Sequence, residues 1–511
     1  MRVDCSLFVV DSTTVPGSDA PPPTPTLNMT QAQASRQLVG KGSVYTVATA
    51  IQLAAGLLAL PLLTRMLPPA GYGRVALAIV IMQLLGMFLC AGLPAVVTRE
   101  YFLIEEWRRD TASRTVVATA TATAIGLGAI AFALGPIWGR WLHGFDHPLQ
   151  LATFCAITFA ITQSAQAILR ARGEARRFVI VAVTPVLGGQ SLGLILLAVF
   201  DRSPATYLLG VAAGNVAAVA IAMAWTRPSL RRTASRRELA GWFRMALPTI
   251  PHMLAMYAIA AADRVVVETL SGASAVGAYT IAYSIGALGV TLVNSANNAW
   301  APLIYGAGEQ RWRVLADTTR DVFRLGALVT SGIAMAAPLG LALVAPGDVY
   351  DLHTLVPVVA VVAFAAIPTI GYLSAAHVVF WHGRTTAFAW MTPTAAAVNI
   401  ALVVLLLPRT GLLGVGIASI VAYSLLAALV QWRQRGLVAV PWYGRRWPVA
   451  FAATACVLGA IIPPGLPGDA CRAVFAVGVA VQLVLELRSL MRGTSHRPLL
   501  LTKVSAPPIS R

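Results

Sequence analysis

The chain has 511 residues, of which 57% are hydrophobic and only 11% are Asp, Glu, Lys or Arg, whereas a soluble domain carries roughly 25% charged residues. A mean hydropathy of +0.73 excludes a water-soluble enzyme, a disordered chain and a small disulfide scaffold. An aromatic content of 8% and long apolar runs without strict alternation exclude an outer-membrane β-barrel, which leaves an all-α polytopic membrane protein.

Residues 1–40 are rich in Pro, Ser, Thr and Gln and read as a disordered cytoplasmic tail. They lack the charged start and apolar core of a signal peptide, and Met29 is expected as an alternative translation start. About fourteen runs long enough to span then follow, at 43–66, 75–98, 115–138, 151–170, 178–200, 206–226, 245–270, 277–303, 322–345, 355–380, 386–407, 412–432, 449–465 and 471–490. Most of the 38 Lys and Arg fall on the N-terminal segment, the loops after even-numbered spans and the C-terminal tail (491–511). Both termini are therefore expected in the cytoplasm, and the span number is expected to be even. The formal charge of +18 reads as an orientation signal that also meets anionic lipid, with no nucleic acid as partner.

Residues 227–244 carry six arginines and form a basic cytoplasmic linker. Within it, Ser235 and Glu238 fit a capping box, and Leu239, Trp242, Phe243 and Ala246 follow at helical spacing. This predicts an amphipathic helix lying at the membrane interface. Cys5, Cys90, Cys155, Cys456 and Cys471 form no metal-ligand spacing, so free thiols and no metal site are expected.

The chain repeats itself at intervals of about 204–208 residues. Leu208-Leu209-Gly210-Val211 matches Leu412-Leu413-Gly414-Val415, Thr184-Pro185 matches Thr392-Pro393, and Gly73 matches Gly277. The offset is six spans, an even number, so the halves share one orientation. This predicts an N-terminal lobe over 41–226 and a C-terminal lobe over 245–433, related by an axis along the membrane normal, with an extra helix pair over 434–490.

No nucleotide, zinc-protease or serine-hydrolase motif is present, and Asp348 with Asp351 reads as a solvated loop, so an enzyme is not expected. Charges inside spans cost about 2.5–3.5 kcal/mol each and ask for a reason. Span 7 holds Asp263, Arg264 and Glu268. Arg264 and Glu268, four residues apart, are expected to pair. His252 and Asp263 share one helical face about 16 Å apart on an unbroken helix. Asn294, Asn297 and Asn298 form a stripe on span 8, suited either to sugar hydroxyls or to helix–helix adhesion. Arg65 and Arg99 end spans 1 and 2, where arginines often snorkel. His377 reads as a satisfied interhelical group.

Several of these residues stand in short ordered motifs: Leu63-Thr64-Arg65-Met66-Leu67, Gly71-Tyr72-Gly73, Gly92-Leu93-Pro94 and Arg99 in the first half; Leu247-Pro248, Ala262-Asp263-Arg264, Val276-Gly277-Ala278-Tyr279, Ala282-Tyr283 and Ala299-Trp300-Ala301-Pro302 in the second. Over roughly 41–433 the chain resembles bacterial polysaccharide flippases, the O-antigen and exopolysaccharide-unit translocases of the multidrug/oligosaccharidyl-lipid/polysaccharide exporter superfamily. The resemblance implies two six-helix lobes in a V and, by alternating access, passage of an undecaprenyl-diphosphate-linked oligosaccharide from the inner to the outer leaflet of the bacterial cytoplasmic membrane. It implies that Arg264, Arg65 and Arg99 meet diphosphate, that the asparagines meet sugar, and that the extra pair holds the lipid tail. It further implies a monomer working beside a polymerase and a chain-length regulator. No cofactor is expected, and proton or sodium coupling through Asp263, Glu268 or His252 stays open. The alternatives are a multidrug and toxin extrusion antiporter of the same superfamily or a membrane glycan polymerase or ligase.

Overall fold

In hydrocarbon the backbone must satisfy its own hydrogen bonds, and apolar runs of this length do so as helices. The computed structural model describes residues 51–491 apart from 53, 104–105, 230–234, 306, 439, 441–443 and 464. The expected N-terminal and C-terminal tails, Met29, Cys5 and part of the linker lie outside the described residues. Among the described residues all regular structure is helical, as a multi-pass membrane protein requires.

In chain order, α1 (Ala54–Met66) leads through a Pro68-Pro69 turn into α2 (Pro69–Leu89) and α3 (Leu93–Leu103). Ala91 and Gly92, both at positive φ, part these last two and so break the second predicted span. Next come α4 (Glu106–Ala133), the short α5 (Gly135–Trp138) and α6 (His147–Ala171), whose first turn is capped by Asp146. A π-helical turn at Thr184–Gly189 joins α7 (Ala175–Val183) to α8 (Gln190–Val199), and α9 (Pro204–Thr226) follows. The matching Thr392-Pro393 sits inside an uninterrupted helix, so the repeat is not exact in backbone there.

The linker helix α10 (Arg236–Ala246) begins with the capping box that the sequence predicts. Part of its apolar face packs on protein. Trp242 and Ala246 are buried with Leu93, Val96, Val97 and Val116, because α3 and α4 offer an apolar surface within reach. Then come α11 (Ile250–Ala261), α12 (Asp263–Gly286) and α13 (Leu288–Tyr305). Gly272, at φ 80°, turns the chain back within α12.

The remaining helices are α14 (Arg311–Met335) and α15 (Ala337–Val344), α16 (Leu352–Phe364) and α17 (Ala366–Trp381), α18 (Phe388–Thr410), α19 (Leu412–Arg435), α20 (Arg446–Ile461) and α21 (Leu466–Met491). Asp351 caps α16 by accepting from the His353 and Thr354 backbone. Cys90, Cys155 and Cys456 are buried free thiols and Cys471 is an exposed one.

Ten described helical runs are long and apolar enough to cross a membrane, or 11 with α14 and α15, bent by 61°, taken as one. The count of fourteen is not confirmed. α1 and α20 are short, and Arg236–Gly286 forms one run in which the linker helix and two predicted spans merge.

The two glycines that the repeat places in register meet each other. A Cβ on Gly73 would lie 1.8 Å from the Ala273 carbonyl oxygen, and one on Gly277 would lie 2.6 Å from that of Pro69. Only glycine lets the start of α2 and the second part of α12 touch backbone to backbone.

Candidate functional site

The site is built on the first turn of α12. α12 begins at Asp263, with Ala262 alone between it and α11. Asp263 Oδ1 takes the Arg264 amide at 2.8 Å and the Arg264 guanidinium at 3.0 Å. Because the chain turns back at Gly272, Tyr279 returns to this point and donates its hydroxyl to Asp263 Oδ2 at 2.5 Å. Tyr283, one turn further, places its ring 4.2 Å beneath the Arg264 guanidinium carbon, a cation–π contact. Asp263 is fully buried and Arg264 is 6% exposed. A buried pair of this kind holds only because its remaining hydrogen-bonding positions are filled.

Arg264 forms part of the wall of a cavity of about 520 Å³ lying among α1, α2, α8, α9, α11, α12, α13 and α19. The wall carries phenols, Tyr72, Tyr207, Tyr257, Tyr283 and Tyr423, and amides, Gln52, Gln83, Gln190 and Asn294. Thr280, Ser284 and Thr291 add hydroxyls along one side. Tyr257 donates to Gln83 Oε1 at 2.6 Å and so ties α11 to α2. Gln190 Oε1 and Thr280 Oγ1 are buried without a protein partner among the described residues.

The residues singled out in the sequence are divided by the structure. Arg264 and Asn294 reach the cavity, with Asp263 behind the first. The expected Arg264–Glu268 pair does not form. Glu268, 2% exposed, instead lies 3.5 Å from Arg74 and 3.6 Å from His143, and Arg74 also bridges to Asp146 at 3.1 Å. Spacing along one helix cannot register a stronger partner on another. Glu268 Oε2 is left buried without a partner among the described residues.

His252 bonds Thr392 Oγ1 at 2.9 Å and packs on Phe388. Asn297 bonds His377 Nε2 at 3.0 Å, an interhelical link. Arg65 turns away from the cavity and donates to the Pro61 and Leu343 carbonyls at 2.9 and 3.2 Å. Beside it Thr64 donates to the Val344 carbonyl, so both close the end of α15. The side chains of Arg99 and Asn298 lie outside the described residues.

The cavity tyrosines and glutamines escaped sequence reasoning. Tyrosine is neither charged nor strongly polar and does not interrupt an apolar run. The available signal was that a phenol inside a span needs a hydrogen-bond partner.

No curated protein matches the chain. Solved structures of similar fold include an inward-facing multidrug resistance MATE family transporter of the MOP superfamily. It is 17% identical over 79% of this chain and 95% of that one, with a TM-score of 0.58. A MATE structure in complex with MaL6 is 15% identical over 78% of this chain and 95% of that one, with a TM-score of 0.53. A MOP superfamily transporter from Pyrococcus furiosus, described as having a binding pocket of reverse polarity, is 14% identical over 78% and 95%, with a TM-score of 0.51. At these identities the likeness establishes the fold, which is that of MOP superfamily transporters. The sequence profile of the family described as Polysaccharide biosynthesis protein matches residues 38–306, more than half of the chain, and the protein belongs to that family.

Proposed function

We propose that the protein is a flippase, carrying a lipid-linked oligosaccharide, joined through diphosphate to undecaprenol, from the inner to the outer leaflet of a bacterial cytoplasmic membrane. The observation that carries the reading is the cavity of phenols, amides and hydroxyls enclosed in an apolar helical bundle. Polar groups inside a membrane bundle are expensive unless water or a ligand meets them. Amides and phenols supply the donors and acceptors that sugar hydroxyls need, and tyrosine rings offer faces to the C–H sides of the sugars. At about 520 Å³ the cavity accepts a sugar head while the tail remains in lipid, along the pair 434–490 in this reading.

The lobes 41–226 and 245–433 rock about the cavity, with 227–244 as their cytoplasmic link and both termini inside. The Gly73–Gly277 contact then closes the outer end. Asp263, Arg264 and Asn294 serve the cavity in this scheme. Glu268 belongs to the outer closure, and Arg65 joins α1 to α15 there. His252 and Asn297 position helices. Arg99 and Asn298 remain proposed contacts at the inner side. Multidrug export is the second reading, favoured by the fold shared with MATE transporters.

Deletion of the gene, followed by probing of extracted and membrane-bound glycolipid with an impermeant glycosidase, tests the proposal. The expected result is oligosaccharide-lipid trapped on the cytoplasmic face and released by the wild-type gene. Normal arrival outside, together with a gain in drug sensitivity, overturns the flippase reading in favour of drug export.

A further inference from the structure

We infer that the cavity is selective for uncharged glycans and rejects those bearing a carboxylate, such as uronic acids. The inference rests on the flippase reading and names the substrate class of that site. Among the described wall residues Arg264 is the single charged side chain. Its charge is already matched by Asp263 at 3.0 Å, and that carboxylate is fully buried. The guanidinium is further held by the Ala260 carbonyl at 3.2 Å and by the ring of Tyr283. The wall is therefore close to neutral, and its other polar groups are amides and hydroxyls.

The amides and hydroxyls of the described wall can meet sugar hydroxyls as donors and acceptors, but none of them carries the positive charge that would match a carboxylate. The diphosphate is common to every substrate of this kind. A uronic acid adds a further anion, for which the described wall has no uncompensated cation, and an unpaired charge in a low-dielectric cavity is strongly disfavoured. The discrimination therefore lies in the sugars.

The test uses the full-length protein in proteoliposomes and two synthetic polyprenyl-diphosphate oligosaccharides that differ only in a terminal hexose or hexuronic acid. Translocation is read as loss of access to an impermeant glycosidase. The neutral lipid is expected to cross about tenfold or more faster than the acidic one. Thr291→Lys, which adds a cation to the wall without touching the buried pair, is expected to narrow that ratio severalfold. Asp263→Asn, which leaves Arg264 uncompensated, is expected to act in the same direction, and Thr291→Lys decides the matter if that variant does not fold. Equal rates for the two lipids in the wild type, or a ratio unmoved by Thr291→Lys, overturn the selectivity while leaving the flippase reading intact. Failure of both lipids to cross with well-folded protein overturns the flippase reading itself.

Discussion

Two buried carboxylates lie five residues apart on α12, and they are held in opposite ways. Asp263 is bound by Arg264 and Tyr279, both from its own helix hairpin. Glu268 is held by Arg74 and His143, which come from the first half of the chain. Any movement that parts α2 from α12 leaves the first arrangement whole and must break the second. One is a staple within a half and the other a clasp between halves. Similar burial therefore conceals different duties, and the partner's place in the chain separates them.

The sharpest test of the contrast is Asp263→Ala. It leaves the Arg264 guanidinium buried and unmatched, a loss of about 3–5 kcal/mol. A large fall in the thermal unfolding temperature of the detergent-purified protein is expected, together with loss of flipping. Gly73→Ala comes next. Its methyl group collides with the Ala273 carbonyl, an overpacking of about 1–3 kcal/mol. The α2–α12 contact should loosen, read as faster labelling of a cysteine introduced beside it by an impermeant thiol reagent.

Tyr257→Phe removes the bond to Gln83 and should lower stability by about 0.5–1.5 kcal/mol, with a slower flipping rate as the second readout. The smallest effect on stability belongs to Glu268→Gln. Arg74 keeps Asp146 at 3.1 Å, and the neutral amide is easier to bury, so unfolding should shift by no more than about 1 kcal/mol while the flipping rate changes. Equal destabilisation by Asp263→Ala and Glu268→Gln would erase the distinction between staple and clasp.

Much of this architecture was legible in the sequence. Apolar run length located most helices, the Ser235/Glu238 spacing gave the start of α10, and the repeat paired Gly73 with Gly277. Of the internal charges, Arg264 lines the cavity and Asp263 stands behind it. Partner choice was less legible. The expected Arg264–Glu268 pairing considered one helix alone. The arrival of Arg74 from α2 is a property of packing between distant segments. The span 8 asparagines show the same limit, because Asn294 faces the cavity while Asn297 turns to His377. Helical spacing gives a stripe its direction but does not identify the neighbour that meets it.

The link from α1 to α15 has a further consequence. The carbonyls of Leu343 and Val344, which end α15, receive their hydrogen bonds from Arg65 and Thr64 of α1. Separation of the two helices strips these oxygens of donors, and hydrocarbon offers no replacement. Only water can take over. In the rocking motion proposed above, opening at this end would be a wetting event, favourable towards an aqueous phase and opposed by lipid. The hydration of a few backbone oxygens would then give that proposed motion a direction that the geometry of the helices alone does not.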